Sequence, residues 1–383
     1  MNEQYFAPCP RGLEAALAEE LGALGAGSIV PTEGGVAFQG ALDLAYRANL
    51  ESRLASRVLW RVGGGAYRNE REVFELASAL DWPRWFRADR TLRVDVAATR
   101  SPLPSLEFAT LKIKDAVCDR HRAVAGKRPS VSKENPDVRV HAYLTADQAT
   151  FYLDTSGEPL FKRGYRREAA EAPLRENLAA GLLRLASWQA GTPLLDPLCG
   201  SGTIAIEAAL MALDIAPGLK RTFGFQKLAW YDGPTWQRIK QAAQRRMQPV
   251  APSAIYASDS DPAAIQRCGI NLAAAGVAGA VVLERADALS RAAPEPAGTI
   301  VTNPPYGVRL AESSPLTELY PRLGDALKQR FAGWTAYILS GDTRLPKLIG
   351  LKASRRTPLF NGAIECRLYE YRLVAGSARA MIR

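Results

Sequence analysis

Several short stretches of this 383-residue chain place polar side chains where an apolar strand stops, and the sharpest is IVTNPPYGVRL at 300 to 310. Pro304 and Pro305 deny the strand further ladder bonds and fix an extended turn, which aims the Asn303 side chain and nearby carbonyls into a cleft. An exocyclic amine on a heteroaromatic ring is a poor nucleophile, because its lone pair is delocalised. The Asn303 amide oxygen and the Pro304 carbonyl can accept its two N–H bonds, hold the nitrogen ready to attack and favour the charge that develops there. Tyr306 can stack on the base, a contact worth roughly 1 to 3 kcal/mol. No strong general base is required, since an alkylated amine cation is acidic. The competing reading is a purely structural Pro-Pro turn.

The second stretch is LLDPLCGSGTIAIEAAL at 194 to 210. A buried strand ends at Asp196, Gly200 and Gly202 allow a tight turn, and an apolar helix starts at about Thr203. Small residues there let a ligand approach backbone amides and a helix N-terminus. The dinucleotide fingerprint GxGxxG is absent, and no acidic residue follows about 20 residues on. Asp196 at the strand end suits a cationic ligand with an amino acid moiety better than a pyrophosphate. In AIYASDSDPAAIQ, from 254, Asp259 ends another strand, where a carboxylate can accept both hydroxyls of a ribose. Asp261 reads mainly as the N-cap of a helix with Pro262 in its first turn. Asp287, just past a third strand, could contact an adenine amino group; taken alone it reads as an ordinary loop residue.

The composition is that of a globular protein: 47% hydrophobic, 23% charged and 8% aromatic. Five scattered cysteines without a CxxC pair, and only two histidines, argue against a disulfide framework, a metal site or histidine-base chemistry. No apolar run approaches the roughly 20 residues that cross a bilayer, and the N-terminus lacks a signal-like pattern. The expectation is a soluble, cytoplasmic protein. Its net charge of +10 points to a polyanionic partner. Residues 1 to 157 hold 20 basic and 20 acidic side chains, so the whole excess lies in residues 158 to 383, with 29 against 19.

The elements that must carry these residues change rhythm along the chain. Residues 1 to about 160 mix helix and strand in an α+β pattern. Leu13, Leu17, Leu21 and Leu24 form an amphipathic helical stripe; Leu92 to Ala97, Val138 to Leu144 and Ala149 to Asp154 read as strands, with a helix at Leu106 to Val117. A basic connector, 157 to 183, passes into a helix beginning near Pro173. From Thr192 short apolar strands at Pro193 to Leu195, Ala254 to Ser258, Ala280 to Leu283, Thr299 to Thr302 and Thr335 to Leu339 alternate with helices, which predicts a parallel, doubly wound sheet. Asn361-Gly362 between two strand-like runs predicts a closing antiparallel hairpin. The insertion Asp214 to Pro252 carries Phe223, Phe225, Trp230 and Trp236, which read as local core.

DPLCGSGT and NPPY together resemble the first and fourth motifs of the class I S-adenosylmethionine-dependent methyltransferases, with matching order and spacing from about 170 to 373. More narrowly, YFAPCPRGLEAALAEEL (5 to 21), the junction 151 to 180, TNPPYGVRL and LFNGAIECRLYEYRL (359 to 373) are similar to bacterial THUMP-domain RNA methyltransferases that modify guanine N2, such as those acting on large-subunit (23S) rRNA. The resemblance implies a ferredoxin-like domain at 1–60, a THUMP RNA-binding domain at 61–157 and a Rossmann-like methyltransferase domain at 158–383. It implies S-adenosylmethionine as cofactor, with Asp196, Pro197, Gly200 and Gly202 along its methionine part, Asp259 at the ribose and Asp287 at the adenine. By the same resemblance Asn303, Pro304 and Tyr306 are expected to hold a flipped guanine, with Asn303 also bordering the cofactor.

Structured RNA, in rRNA or a ribosome precursor, is the implied partner. Lys162, Arg163, Arg166, Arg167, Arg309, Arg355 and Arg356 are the candidate phosphate contacts, together with Lys352. A further basic cluster runs from Lys112 to Arg139. Some relatives carry a second methyltransferase domain; with the sequence ending at Arg383, a single modification is expected. NPPY also serves adenine N6 and glutamine-amide methylation, and a tRNA guanine is a further alternative. A cysteine-based m5C mechanism is disfavoured, because Cys199 lies in the cofactor turn. A non-catalytic RNA-binding assembly factor is the remaining alternative, disfavoured because both motifs are intact.

Overall fold

Short apolar runs bounded by turn residues become strands of two seven-stranded sheets in a computed structural model of the chain. The structure describes residues 2–167, 174–250, 254–305 and 314–374, with the main chain alone at 314–317. They group into two compact units: Met1–Cys9, Ala18–Leu160 and Lys220–Ala242 form the first, and Pro10–Leu17, Phe161–Leu219 and Ala243–Arg383 the second. Among the described residues no helix is long and apolar enough to cross a membrane.

The N-terminal elements are β1 (Glu3–Pro8), α1 (Glu14–Ala23), β2 (Gly27–Thr32), β3 (Gly35–Gly40), α2 (Leu42–Glu51), β4 (Leu59–Ala66), α3 (Glu70–Ser78), α4 (Trp82–Trp85), β5 (Leu92–Ala98), α5 (Leu106–Ala125), β6 (Val138–Leu144) and β7 (Gln148–Asp154). Their sheet runs β2-β3-β1-β4-β7-β6-β5, with only β5 and β6 parallel. In β6, Val138, Val140, Ala142 and Leu144 alternate inward, the period-2 pattern of a half-buried strand. Residue 60 lies inside β4, which pairs with β1 at Leu59 and Trp60 and with β7 along its whole length.

Helix α5 extends eight residues past the predicted Val117. Its buried stripe continues through Cys118 and His121, and the helix stops only at Gly126, whose φ of +69° suits glycine. The Lys112 to Arg139 cluster is partly neutralised. Lys114 pairs with Asp115 at 3.0 Å, Arg120 with Asp81 at 3.5 Å, Arg128 with Asp115 and Asp119 at 3.5 Å, and Arg139 with Glu158 at 3.6 Å.

The remaining elements are α6 (Glu176–Leu185), β8 (Leu194–Asp196), α7 (Thr203–Ala212), α8 (Gly233–Arg246), β9 (Ile255–Asp259), α9 (Pro262–Ala275), β10 (Val282–Arg285), β11 (Gly298–Thr302), α10 (Ser314–Arg330), β12 (Trp334–Ser340), α11 (Leu345–Leu348), β13 (Arg355–Asn361) and β14 (Ile364–Arg372). The second sheet runs β10-β9-β8-β11-β12-β14-β13. Strands β8 to β12 are parallel, and β13 and β14 add the predicted antiparallel hairpin. Strand order reverses between β8 and β11, which opens a crevice beyond their carboxyl ends. Ile300, Tyr320, Leu323, Phe331, Trp334, Ile338 and Tyr369 pack into the core on one side of this sheet.

The aromatics of the insertion are core, as expected, and that core belongs to the first unit. Tyr46 of α2 meets Phe225 at 4.6 Å and Trp230 at 5.3 Å between ring centroids, and Trp230 meets Trp60 at 5.6 Å. The Asp232 amide donates to the Tyr46 hydroxyl at 2.7 Å. Large rings bury wherever a hydrophobic face is available, and proximity in sequence does not decide which face.

Candidate active site

The site is built at the ends of β8, β9, β10 and β11. Asp196, the last residue of β8, is 2% exposed. Its Oδ1 accepts from the Thr302 hydroxyl at 2.8 Å and the Leu198 amide at 3.3 Å, joining the end of β8 to the end of β11. Burial, reinforced by the Asp259 charge and opposed by these two donors, pushes its carboxyl up to about 7. Pro197 behind it is buried.

The loop that follows turns through two glycines with left-handed backbone, Gly200 at φ +53° and Gly202 at φ +83°. At Gly202 a Cβ would lie 2.4 Å from the Cys268 Sγ of α9, so both conformation and space require glycine. Gly202 is also the N-cap of α7 and offers no side-chain cap to its N-terminus. Cys199 is buried in this turn; the Cys268 thiol and burial push its own thiol up, which keeps it neutral.

Asp259 ends β9 and accepts one backbone amide on each carboxylate oxygen: Gly200 on Oδ2 and Asp261 on Oδ1, both at 3.0 Å. Each oxygen retains acceptor capacity. Asp261 is the N-cap of α9, its Oδ1 accepting from the Ala263 amide at 2.9 Å, and its Oδ2 lies 3.3 Å from Arg267. Asp287 is exposed two residues after β10 and accepts from the Leu289 amide at 2.9 Å.

Strand β11 stops at Thr302, and Asn303 follows. Its Oδ1 is buried and, among the described residues, has no hydrogen-bond partner. Pro304 is buried and Pro305 exposed. Tyr306 and Arg309 lie outside the described residues. A cleft of about 370 Å³ covers these strand ends, lined by Leu198, Gly200, Asp259, Asp287, Asn303 and Pro305 among others. That volume falls in the range of roughly 300 to 1,000 Å³ common to small-molecule sites. Asp196 is beneath this lining rather than in it. Among the described residues no cluster of His, Cys, Asp and Glu could hold a metal ion.

The basic candidates divide sharply. Lys162, Arg167, Arg355 and Arg356 are exposed. Arg356 pairs across Tyr369 and Ile338 with Thr302, so it stands level with the end of β11 at the hairpin edge of the sheet. Arg163 and Arg166 are corrections. Arg163 is 3% exposed, its Nε 3.5 Å from the buried Glu207 carboxylate, because an inward cation needs a charged partner once it loses water. Arg166 points inward onto Glu176, Ser201 and Thr203. Neither offers its charge to a phosphate. Thr302, Arg166 and Asn271 are site-supporting residues that motif reading assigned differently or passed over. The one available signal for Asn271 was a polar side chain within the apolar run INLAAAG.

A family model described as "RMKL-like, methyltransferase domain" matches residues 163–370. Models of an RlmL ferredoxin-like domain and a THUMP domain match 4–59 and 67–154. A ribosomal RNA large subunit methyltransferase K/L of Shewanella frigidimarina is 41% identical over 380 residues, and that of Methylococcus capsulatus 42% over 381. These alignments cover 98% and 96% of this chain but 53% and 51% of those proteins, so the chain spans about half the length of the curated relatives it matches. Among solved structures, SMU.472 complexed with SAH superposes with a TM-score of 0.88 at 29% identity, covering 99% of both chains. A predicted N6-adenine-specific DNA methylase from Listeria monocytogenes gives 0.88 at 30% identity, covering 97% of both. TrmN from Thermus thermophilus, at 23% identity and TM-score 0.72, shares the fold.

Proposed function

The chain belongs to the family of the RMKL-like methyltransferase domain, and on that premise we propose that it transfers a methyl group from S-adenosylmethionine to the N2 amine of a guanine in 23S rRNA. The observation that carries this reading is the Asn303 amide oxygen, buried at the end of β11 beside the cleft and without a partner among the described residues. An unsatisfied buried acceptor costs about 1 to 3 kcal/mol, so its persistence fits a donor that arrives with substrate. The 41% identity to rRNA large subunit methyltransferases and the THUMP match support RNA as the substrate.

The residues present fit the cofactor on their own geometry. Asp259 keeps acceptor capacity after binding two amides and suits a pair of ribose hydroxyls. Asp287 borders the same cleft where an adenine amino group can donate to it. Gly200 and Gly202 clear side-chain bulk from the start of α7, where Pro197 and Asp196 complete the strand-to-helix turn along the methionine part. When bound, S-adenosylmethionine supplies an electrophilic methyl on a cationic sulfonium. Asn303 Oδ1 and the Pro304 carbonyl accept the N2 hydrogens, orient the nitrogen lone pair and favour the positive charge growing on it. The proton leaves late, so no base is assigned. Tyr306 is assigned to stacking on the base.

A guanine inside folded RNA must leave its stack to reach Asn303. Lys162, Arg167, Arg355 and Arg356, with Arg309, are assigned to holding the backbone, while Arg163 and Arg166 are withdrawn from that role. Residues 1–60 and 61–157 serve as the RNA-capture region and 158–383 as the catalytic one. A structured rRNA, in free form or in a ribosome precursor, is the partner this reading assigns, and the cytoplasm is the location that goes with it. Nucleoside mass spectrometry of rRNA and tRNA from a strain lacking the protein tests the reading. Loss of N2-methylguanosine from 23S rRNA is expected. Loss from tRNA instead moves the target, and loss of N6-methyladenine, or label recovered only in protein by the purified enzyme, rejects the guanine assignment.

A further inference from the structure

The connector from Phe161 to Arg167 carries an array of inward bonds that the reaction as described does not use. The Tyr165 hydroxyl donates to Glu207 of α7 at 3.1 Å, beside the Arg163 contact. Arg166 makes four hydrogen bonds within the protein. Nε donates to Glu176 at 3.0 Å, Nη1 to the Ser201 hydroxyl at 3.3 Å, and Nη2 to the Leu174 carbonyl at 2.9 Å and the Thr203 hydroxyl at 3.1 Å. Ser201 is held from a second direction as well. Asn271 of α9, 1% exposed, donates from Nδ2 to the Ser201 carbonyl at 3.1 Å, and its Oδ1 accepts from the Arg167 amide at 2.9 Å.

Ser201 sits between Gly200 and Gly202, two residues with left-handed backbone, and Thr203 opens a helix with no side-chain cap. Such a loop has no intrinsic reason to hold one shape. The planar fork of arginine can satisfy four acceptors in fixed directions, and a lysine at this position could not. We propose that Arg166, acting with Asn271, is a positioning residue that fixes the glycine loop in its cofactor-binding shape, and that it takes no part in RNA binding. This rests on the reading of the loop as the S-adenosylmethionine site. Glu176, itself buried, neutralises the guanidinium, so the strap sets loop geometry without adding net charge beside a cationic ligand.

The test is calorimetric titration of the full chain with S-adenosylhomocysteine, in parallel with salt-dependent binding of an unmodified 23S rRNA fragment. Arg166→Ala is expected to weaken S-adenosylhomocysteine by about tenfold or more, and Arg166→Lys by less, since it keeps only the ion pair. Millimolar methylguanidine is expected to restore part of the affinity of Arg166→Ala. Ser201→Ala, which removes one tie without opening a cavity, is expected to show a smaller loss in the same direction. RNA affinity and its salt slope should match the wild type throughout. Unchanged S-adenosylhomocysteine binding in Arg166→Ala, with the salt slope reduced by about one, overturns the inference in favour of a phosphate contact. Parallel loss of both ligands in Arg166→Ala with a silent Ser201→Ala also overturns it, as general unfolding. A wild type that binds no S-adenosylhomocysteine rejects the functional reading itself.

Discussion

The glycine loop after β8 and the turn after β11 border one cleft, yet they manage their polar groups in opposite ways. Around the loop, Asp196 is bonded to Thr302, Ser201 to Arg166 and Asn271, and Asp259 to Gly200. At the turn, Asn303 Oδ1 is buried with no described partner. A platform that must present one shape to a ligand benefits from internal bonds, because they remove the entropy of ordering it at the moment of binding. A group that acts on the reacting atom must instead keep its acceptor for the substrate. The difference separates residues that hold the site from the residue assigned to the chemistry.

Three experiments probe that contrast. Asn303→Ala is expected to lower methyl transfer by about a hundredfold or more while leaving S-adenosylhomocysteine affinity nearly intact, as measured by single-turnover kinetics beside calorimetry. Equal loss of both breaks the division between platform and acceptor. Gly202→Ala is expected to act on the platform alone. Left-handed backbone costs an alanine about 1 to 2 kcal/mol, and its Cβ meets Cys268 Sγ besides. Weaker cofactor binding and a lower Tm should follow, partly recovered by adding Cys268→Ala, and an unaltered affinity would show that the loop is not the platform.

The third concerns pH. Asp196 carries a carboxyl raised to about 7, so it is mostly protonated at pH 6 and mostly ionised at pH 8. A cationic ligand favours the ionised form, so S-adenosylmethionine affinity should rise by roughly tenfold over that interval, with proton release on binding below pH 7, and S-adenosylhomocysteine, which lacks the sulfonium charge, should respond less. Asp196→Asn should flatten the profile. A profile that is flat in the wild type would remove Asp196 from the electrostatics of the platform.

Much of the sheet was legible because β8, β9, β11 and β12 of the methyltransferase-like half are short, largely apolar runs followed by polar or turn residues. Asp196, Asp259 and Asn303 sit at strand ends for that reason, and the switch point of the sheet gathers them. Helix α5 runs past the expected Val117 because its buried stripe continues through Cys118 to His121, whose imidazole does not read as apolar. The connector is more instructive. KRGYRR looks like a solvated basic stretch, but a side chain's direction depends on what packs over it, and here Glu207 and Glu176 supply buried counter-charges from α7 and α6.

The amino-acid sequence by itself determined the order of the elements, the glycines of the turn after β8 and the Asn303-Pro304-Pro305 stop, because these depend on local backbone restrictions and hydrophobic period. Only the tertiary structure decided which cations face solvent, which unit receives the aromatics of the insertion and which buried acceptor is left open. Those outcomes depend on partners distant in the chain: Arg166 meets Ser201, Asp196 meets Thr302 and Trp230 meets Trp60. Burial makes such pairings energetically decisive, and no local pattern records them.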